Sequence, residues 1–460
     1  MPRAIVIDDN TSVNNGHYNE LSSLLLGAAI EAGYQPVLAA HQEFRENVSL
    51  PESCQILRVF STRRMTRWSC GFDGQSSVAR DTDAAPLSHG IRSHFLAARD
   101  EWLTRAQWRP SEMIKRWSEG LNSLLETLNP DGDDKLIFQT ADDFMMVAMA
   151  RSLSQFRARR LCIKAIFHYA VQGTGDSLNS RAAFDQQLNH ALQRIAHHDV
   201  QLYATTEALA DQMNGGALSQ HVHVIPYPIR KPTQLEKPVE PVPRLVLGGV
   251  HRVEQGRDAV SPFLEAIYEP FVKAGRCSLT LRLDPKNWRR IVPRSLQVEF
   301  EPAIERQAEL SRGSMNGVTA SLPALDVQPA TLSEPDYYRM LSSADMGVLL
   351  YDADRYKVRC SGILLEFLTR GVPVIVPDNC WLSSTLKAYG DSHALGYSYR
   401  DAGEIAGFIE KFLTDRPSMQ SAAQHAAHAI SVKHSALTTF QTLMEDKGGM
   451  IRESRIRYAA

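Results

Sequence analysis

The stretch GVLLYDADRYKVRCSGILLEFLTRGVPVIVP, residues 347–377, decides the fold of the C-terminal half. Its apolar start, Gly347–Leu350, ends at Tyr351-Asp352 and predicts a buried strand. After a polar loop, Ser361-Gly362 predicts the start of a helix, and Gly371 predicts its end before the next apolar run. A strand, a helix and a second strand in this order predict parallel strands joined by a crossover helix.

The same alternation opens the chain and resumes after a proline-rich stretch. Ala4–Ile7 and Pro36–Ala40 predict strands on either side of a helix that ends at Gly33. The run KPVEPVP at 237–243 interrupts both helices and strands, because proline lacks the N–H that they require. RLVLGGV at 244–250 then begins a second series. We therefore predict an α/β protein with two Rossmann-like domains, whose parallel sheets face a central cleft.

The predicted boundaries follow these shifts in composition. They are an N-terminal domain at 1–230, a proline-rich hinge at 231–243, a C-terminal domain at 244–445 and a tail at 446–460. Within the first domain, residues 58–117 are basic and carry four of the six tryptophans. This insertion either contacts an anionic acceptor or a membrane surface, or is a solvated segment with inward-packed tryptophans, which we favour.

Composition excludes several functional classes. The chain has 460 residues, 50 Lys and Arg against 52 Asp and Glu, and a net charge of -2, which argues against a nucleic-acid binder. No apolar run approaches the roughly 20 residues that cross a bilayer, and the N-terminus does not resemble a secretory signal. The six cysteines are scattered without a CxxC pair. We expect a cytoplasmic protein with reduced thiols.

The loop and helix within 347–377 carry groups that suit a phosphate. A helix N-terminus presents unpaired N–H groups, and Gly362 lets a ligand approach the backbone closely. Lys357 and Arg359 add charge-assisted hydrogen bonds, while Ser361 either caps the helix or donates its hydroxyl. Glu366 lies among apolar neighbours and needs a partner, for which a ribose diol is suitable.

Several of these pieces, in this order, resemble the family 4 glycosyltransferases, which have the two-domain GT-B fold. RLVLGGVHRVEQG is similar to the first strand and loop of the family's nucleotide-binding domain, and LSEPDYYRMLSSADMGVLLYD to a later helix and strand. RYKVRCSGILLEFLTRGVPVIVP resembles the family's donor-binding segment. NNGHYNELSSLLLGAAIEAGYQPVL and YATTEALADQM with HVHVIPYPI resemble elements of its N-terminal domain.

The resemblance implies a retaining transfer of a sugar from a UDP- or GDP-linked donor to a glycan, lipid-linked or protein acceptor. It implies no metal and no cofactor besides the donor, and it assigns the acceptor to the first domain and the donor to the second. Peripheral contact with the inner face of a membrane is a further expectation. The resemblance implies that His168 lies near the donor sugar, that Gly16, Ser361 and Gly362 lie at the diphosphate, and that Glu366 holds the ribose hydroxyls. Together with the charged groups of the loop, this makes His168, Arg359 and Lys357 the candidate catalytic residues. The candidate donor-binding residues are Gly16, Gly249, Arg252, Arg257, Tyr356, Ser361, Gly362, Ile363 and Glu366.

The sequence also departs from the family pattern. Val358 stands where the family often has an earlier glutamate, and Val250 and Gln255 stand where it commonly has Arg and Lys. Arg252 or Arg257 would then substitute for those cations. Two alternatives therefore stay open: a catalytically inactive GT-B protein that binds nucleotide or glycan as a scaffold or regulator, and a nucleotide-sugar epimerase.

Three other interpretations are disfavoured. The first strand leads into TSVNNGH and not G-x-G-x-x-G, which argues against a Rossmann dehydrogenase. His197-His198-Asp199 and His221-x-His223 invite a metal interpretation, but no third ligand is evident, and a structural role is favoured. Asp142-Asp143 is interpreted as a helix cap and not as an acid/base pair.

Overall fold

A computed structural model describes residues 1–11, 17–45, 50–62, 110–169, 178–232, 242–249, 257–311, 323–390 and 393–445. By its internal contacts the chain forms two units, one built mainly from residues 1–228 and the other from residues 229–435. Each unit holds one sheet in which every described strand runs parallel to its neighbours. The predicted class, two Rossmann-like α/β domains on parallel sheets, is confirmed.

The first unit contains a seven-stranded sheet in the order β3-β2-β1-β4-β5-β6-β7. Its strands are β1 Arg3–Ile7, β2 Gln35–His41, β3 Gln55–Phe60, β4 Lys135–Ala141, β5 Cys162–Phe167, β6 Asp199–Ala204 and β7 Val222–Val224. Its helices up to this point are α1 His17–Glu31, α2 Pro110–Leu128, α3 Asp143–Leu153, α4 Leu178–Arg194 and α5 Glu207–Asn214. The central strands are buried along almost their whole length, as expected of a sheet covered on both faces.

The second unit contains a six-stranded sheet in the order β10-β9-β8-β11-β12-β13. Its strands are β8 Arg244–Leu247, β9 Ser278–Leu283, β10 Leu325–Pro329, β11 Met346–Val348, β12 Val374–Pro377 and β13 Gly396–Tyr399. Its helices are α6 Arg257–Ile267, which continues into a π-helical turn at Tyr268–Lys273, then α7 Gln297–Ser311, α8 Glu334–Ser343, α9 Gly362–Leu368, α10 Trp381–Tyr389 and α11 Glu404–Lys433. Short 3₁₀ turns lie at Trp288–Arg290 and Arg294–Leu296.

The last helix, α12 (Ala436–Met444), belongs to the first unit by its contacts. Phe440 and Leu443 are fully buried in a cluster with Leu21 and Leu25 of α1. The division drawn from sequence placed α12 in the C-terminal domain. The structure groups it with the first sheet instead, because its apolar face is complementary to α1. Among the described residues no helix is long and apolar enough to cross a membrane.

Between β2 and β4, where no strand or helix is predicted from the sequence, the structure has β3 and α2. Trp117 of α2 is fully buried, and its ring stacks on Phe60 of β3 with centroids 5.1 Å apart. This contact is the inward packing favoured for the tryptophans of 58–117. Most of that segment, and with it the other tryptophans, lies outside the described residues.

A buried histidine joins three parts of the first unit. His198 precedes β6, accepts a hydrogen bond at Nδ1 from the Leu161 amide at 3.2 Å, and donates from Nε2 to the Leu153 carbonyl at 3.1 Å. Both ring nitrogens therefore serve the backbone, which fits the structural interpretation of this histidine. Burial, together with the neighbouring His197, lowers the pKa of His198 below its ordinary value of 6.5.

We predict that His198 makes the first unit sensitive to acid. Because the folded state favours the neutral ring, the unfolded chain takes up the proton first, so stability is lost as pH falls from about 6.5 through the lower folded-state pKa. Urea unfolding across this range should show a shallower pH dependence for His198→Gln than for the wild type. His197→Gln, at an exposed neighbour, is the control, and equal slopes for all three proteins would contradict the prediction.

Candidate functional site

The carboxyl ends of β8 and β11 form one edge of the second sheet, since the two strands are parallel neighbours. β8 leads into Gly248-Gly249, and Gly249 adopts a φ of 99°, a conformation that favours glycine. A Cβ added at Gly248 would lie 2.6 Å from the Leu349 side chain, so only glycine fits there without a shift. Because Gly248 and Gly249 have no side chains, backbone atoms line this part of the sheet edge.

Ser361 begins helix α9 as its N-cap. Its Oγ accepts a hydrogen bond from the Leu364 amide at 3.3 Å, and the side chain is buried. Of the two roles open to Ser361 from sequence, the structure shows capping. The next residues, Gly362 and Ile363, are half-buried, and no described residue accepts a hydrogen bond from their amides. At the other end Gly371, with a φ of 68°, closes the helix as predicted.

Glu366 is buried on α9 and has a specific partner on α8. The hydroxyl of Tyr337 donates a hydrogen bond to Glu366 Oε2 at 2.5 Å. Burial and the negative charge of Glu366 raise the pKa of Tyr337 well above its usual range, so the hydroxyl keeps its proton and remains a donor. The sequence predicted that this carboxylate needs a partner, but it did not identify the tyrosine.

The loop before α9 stacks aromatic and cationic groups. The rings of Tyr351 and Tyr356, both buried, have centroids 4.5 Å apart, and the Arg359 guanidinium lies 5.7 Å from the Tyr356 ring centroid. Burial raises the pKa of Tyr351, which also shares a hydrogen bond with the Ser361 side chain. Arg359 is half-buried, whereas Lys357 is exposed. Tyr356 therefore gives Arg359 a defined place beside the start of α9.

A buried cation lies at the end of the neighbouring strand β9. Arg282 is 9% exposed, and its guanidinium carbon is 5.7 Å from the ring centroid of Tyr337. It also donates to the carbonyl of Ala330 in the loop that precedes α8. Arg282 was not among the predicted site residues, because a single arginine in SLTLRL gives no sequence signal of its function.

In the first unit, polar side chains are buried at the carboxyl ends of β1, β4 and β5. His168 is buried and donates from Nε2 to the Gln139 carbonyl at 2.6 Å, with the Tyr227 ring edge-on to it at 5.8 Å. Asp8, at the end of β1, accepts hydrogen bonds from Gln139 Nε2 at 2.6 Å and from Thr140 Oγ1 at 2.9 Å. Asp8 and Gln139 were not predicted as site residues, although Asp8 directly follows a predicted strand.

The other predicted residues either lie outside the described residues or have separate positions in the structure. Gly16 and Arg252 lie outside the described residues, as do Val250, Gln255 and the tail 446–460. Arg257 begins α6, where its Nε is 3.5 Å from Asp258 Oδ1. Asp142 caps α3 by accepting from the Met145 amide at 2.7 Å, as predicted. The structure therefore brings together Tyr356, Arg359, Ser361, Gly362, Ile363 and Glu366 at one edge of the second sheet.

Within the described ranges, no group of three or more His, Cys, Asp or Glu side chains is arranged to hold a metal ion. His197 and His198 each hydrogen-bond to a backbone carbonyl. His221 and His223 have ring centroids 4.9 Å apart, and the ring of His223 lies beside that of Tyr203.

The sequence matches no known family model and no curated protein. The structure is similar to sucrose-phosphate synthase from Thermosynechococcus elongatus, at 13% identity and a TM-score of 0.55 over 96% of this chain and 98% of that one. It is similar to the trehalose-6-phosphate synthase OtsA, at 13% identity and a TM-score of 0.56 over 96% of this chain and 98% of that one. HepE of Anabaena in complex with UDP matches at 11% identity and a TM-score of 0.54 over 96% of this chain and 98% of that one. Such low identity establishes the fold alone, two Rossmann-like domains of the GT-B type.

We predict that Ser361→Ala lowers the free energy of unfolding by about 1 kcal/mol, because the Leu364 amide loses its cap. Ser361→Thr keeps an acceptor and should restore most of that loss. Chemical denaturation measures both, with Ser384→Ala, at an exposed position of α10, as the control. A Ser361→Ala protein as stable as the control would show that the cap contributes nothing.

Proposed function

We propose that this chain is a retaining glycosyltransferase that transfers a sugar from a nucleotide-sugar donor to a glycan, lipid-linked or protein acceptor. The observation that carries the proposal is the arrangement at the start of α9, where two half-buried amides, a stacked arginine and a buried glutamate lie within one short segment. In a bound nucleoside diphosphate, the arginine would meet the negative charge, the amides the phosphate oxygens and the glutamate the ribose hydroxyls.

The diphosphate is the part of the donor that gains negative charge when the sugar leaves. The amides of Gly362 and Ile363 supply donors fixed by the backbone, and Arg359 supplies a cation whose position Tyr356 restricts. Fixed donors of this kind stabilise a developing oxyanion without reorganising during the reaction. Lys357, which is exposed, is proposed as a second cation on the same loop.

Glu366 is proposed to accept hydrogen bonds from the ribose hydroxyls. A carboxylate presents about four lone-pair sites, so it has capacity for ribose hydroxyls in addition to Tyr337. The alternative, that Glu366 faces solvent, does not fit its 6% exposure. Gly249, in its left-handed conformation, leaves room for the phosphates along the neighbouring strand end.

His168 is proposed to serve the donor sugar, as the family resemblance implies, and the same resemblance assigns Gly16, which is outside the described residues, to the diphosphate. The structure supports a fixed orientation for His168, because the Gln139 carbonyl holds its Nε2. The fold neighbours point to the same chemistry: the synthases are named for sucrose phosphate and trehalose 6-phosphate, and HepE is described in complex with UDP and with UDP and glucose.

A scaffold protein of the same fold is the second candidate, and Val358 favours it, since this position often carries a glutamate in the resembling family. A thermal-shift screen with UDP and GDP, followed by a panel of their sugar conjugates, tests both candidates. A ligand specific for the folded state at about 100 times its Kd stabilises by about 2.7 kcal/mol. Binding without turnover would support the scaffold, an isomerised donor would support an epimerase, and no binding would overturn the proposal.

We predict that Arg359→Ala lowers kcat/KM for the active donor by about 10²–10³-fold, the usual loss when one fixed donor to a developing oxyanion is removed. Arg355→Ala is the matched control, since Arg355 lies on the same loop with its Nε 3.6 Å from Asp352 Oδ2. Steady-state kinetics measure both variants, and NMR of the product tests retention at the anomeric carbon. Unchanged turnover in Arg359→Ala would refute the assignment of Arg359.

A further inference from the structure

The hydrogen bond between Tyr337 and Glu366 joins two helices at the site. Tyr337 lies on α8 and Glu366 on α9, and the sequence places them 29 residues apart. The bond of 2.5 Å is short, as expected when a hydroxyl donates to an ionised carboxylate. A charged group on a buried helix face is costly unless a donor satisfies it, so this pairing restricts where the carboxylate can lie.

The tyrosine is itself held in place. The guanidinium of Arg282 lies 5.7 Å from the centroid of the Tyr337 ring, and Arg282 in turn donates to the Ala330 carbonyl. The arginine is anchored on β9, so it links the sheet to the ring and the ring to Glu366. Because both the ring and the hydroxyl of Tyr337 are already held, Tyr337 loses less conformational entropy when a ligand binds Glu366.

We propose that Tyr337 is a positioning residue that orients the Glu366 carboxylate toward the ribose hydroxyls of the donor and thereby gives the site its selectivity for ribonucleotides. The inference depends on the proposed function, since it assumes that a nucleotide binds at α9. Tyr337 acts through Glu366 and need not touch the ligand. It occupies Oε2 through one hydrogen bond and fixes the rotamer of the side chain.

The opposite role would be a block, in which the tyrosine competes with the ligand for the carboxylate. The two roles differ in sign: removing the hydroxyl of a positioning residue weakens ribonucleotide binding, whereas removing a block strengthens it. The proposal therefore commits to a loss of affinity that is confined to ligands carrying the ribose hydroxyls.

The experiment compares the Kd of UDP with that of 2′,3′-dideoxy-UDP by calorimetry, and the Kd of GDP with that of 2′,3′-dideoxy-GDP. In the wild type we expect one ribonucleotide to bind at least about tenfold more tightly than its dideoxy form, as hydrogen bonds to a charged group allow. Tyr337→Phe should reduce that preference by about tenfold while leaving the Kd of the dideoxy nucleotide unchanged. A structural defect would weaken both nucleotides together.

Tyr338→Phe is the matched control, because it removes the adjacent hydroxyl from the same helix and its ring lies 4.8 Å from the guanidinium carbon of Arg370. The pair Glu366→Gln and Tyr337→Phe/Glu366→Gln completes a double-mutant cycle. If Tyr337 acts through Glu366, the double variant should show the same preference as Glu366→Gln alone. If the double variant instead lost the sum of the preferences lost by the two single variants, the inference would be overturned.

The remaining outcomes separate this inference from the proposed function. A wild type that binds neither UDP nor GDP refutes the proposed function and the inference with it. A wild type that prefers the ribonucleotide, together with a Tyr337→Phe protein that keeps the full preference or gains affinity, refutes the inference and leaves the proposed function standing. If Tyr337→Phe does not fold, Tyr337→His, whose ring is too short to reach Glu366, takes its place and should likewise lose the preference.

Discussion

Parallel pairing of the strands is the constraint on which the site in the second unit depends. β8 and β11 are neighbours and run in the same direction, so their carboxyl ends lie at one edge of the sheet. The Gly248-Gly249 turn and the loop that leads to α9 therefore meet, although about a hundred residues separate them along the chain. An antiparallel pair would have placed them at opposite edges.

A buried carboxylate, Glu366, lies at that edge. Glu366 is buried on α9 between apolar residues of the same helix, and a tyrosine hydroxyl from α8 donates a hydrogen bond to it. The tyrosine hydroxyl is a neutral donor, so this hydrogen bond adds no charge of its own at the carboxylate. The guanidinium carbon of Arg282 lies 5.7 Å from the centroid of the same tyrosine ring.

Much of the second unit was predictable because short-range patterns determine it. Ser361, Gly371 and the strand β11, which overlaps the predicted run Gly347–Leu350, occupy the roles that their sequence context predicts, since caps, helix ends and buried strands depend on neighbouring residues. Helix α2 was missed, although Trp117, Leu121 and Leu128 lie on its buried face at helical spacing. β3 was missed because only its last residue, Phe60, is fully buried, so its pattern carried little signal.

The sequence alone determined the alternating strands and helices of the two α/β halves and the segment that carries the proposed donor site, because hydrophobic periodicity and glycine act over a few residues. The tertiary structure alone decided that Tyr337 pairs with Glu366, that Arg282 lies over the tyrosine ring, and that α12 joins the first unit. These contacts join residues far apart in the chain. Strand order and helix packing bring them together, and no local pattern encodes either.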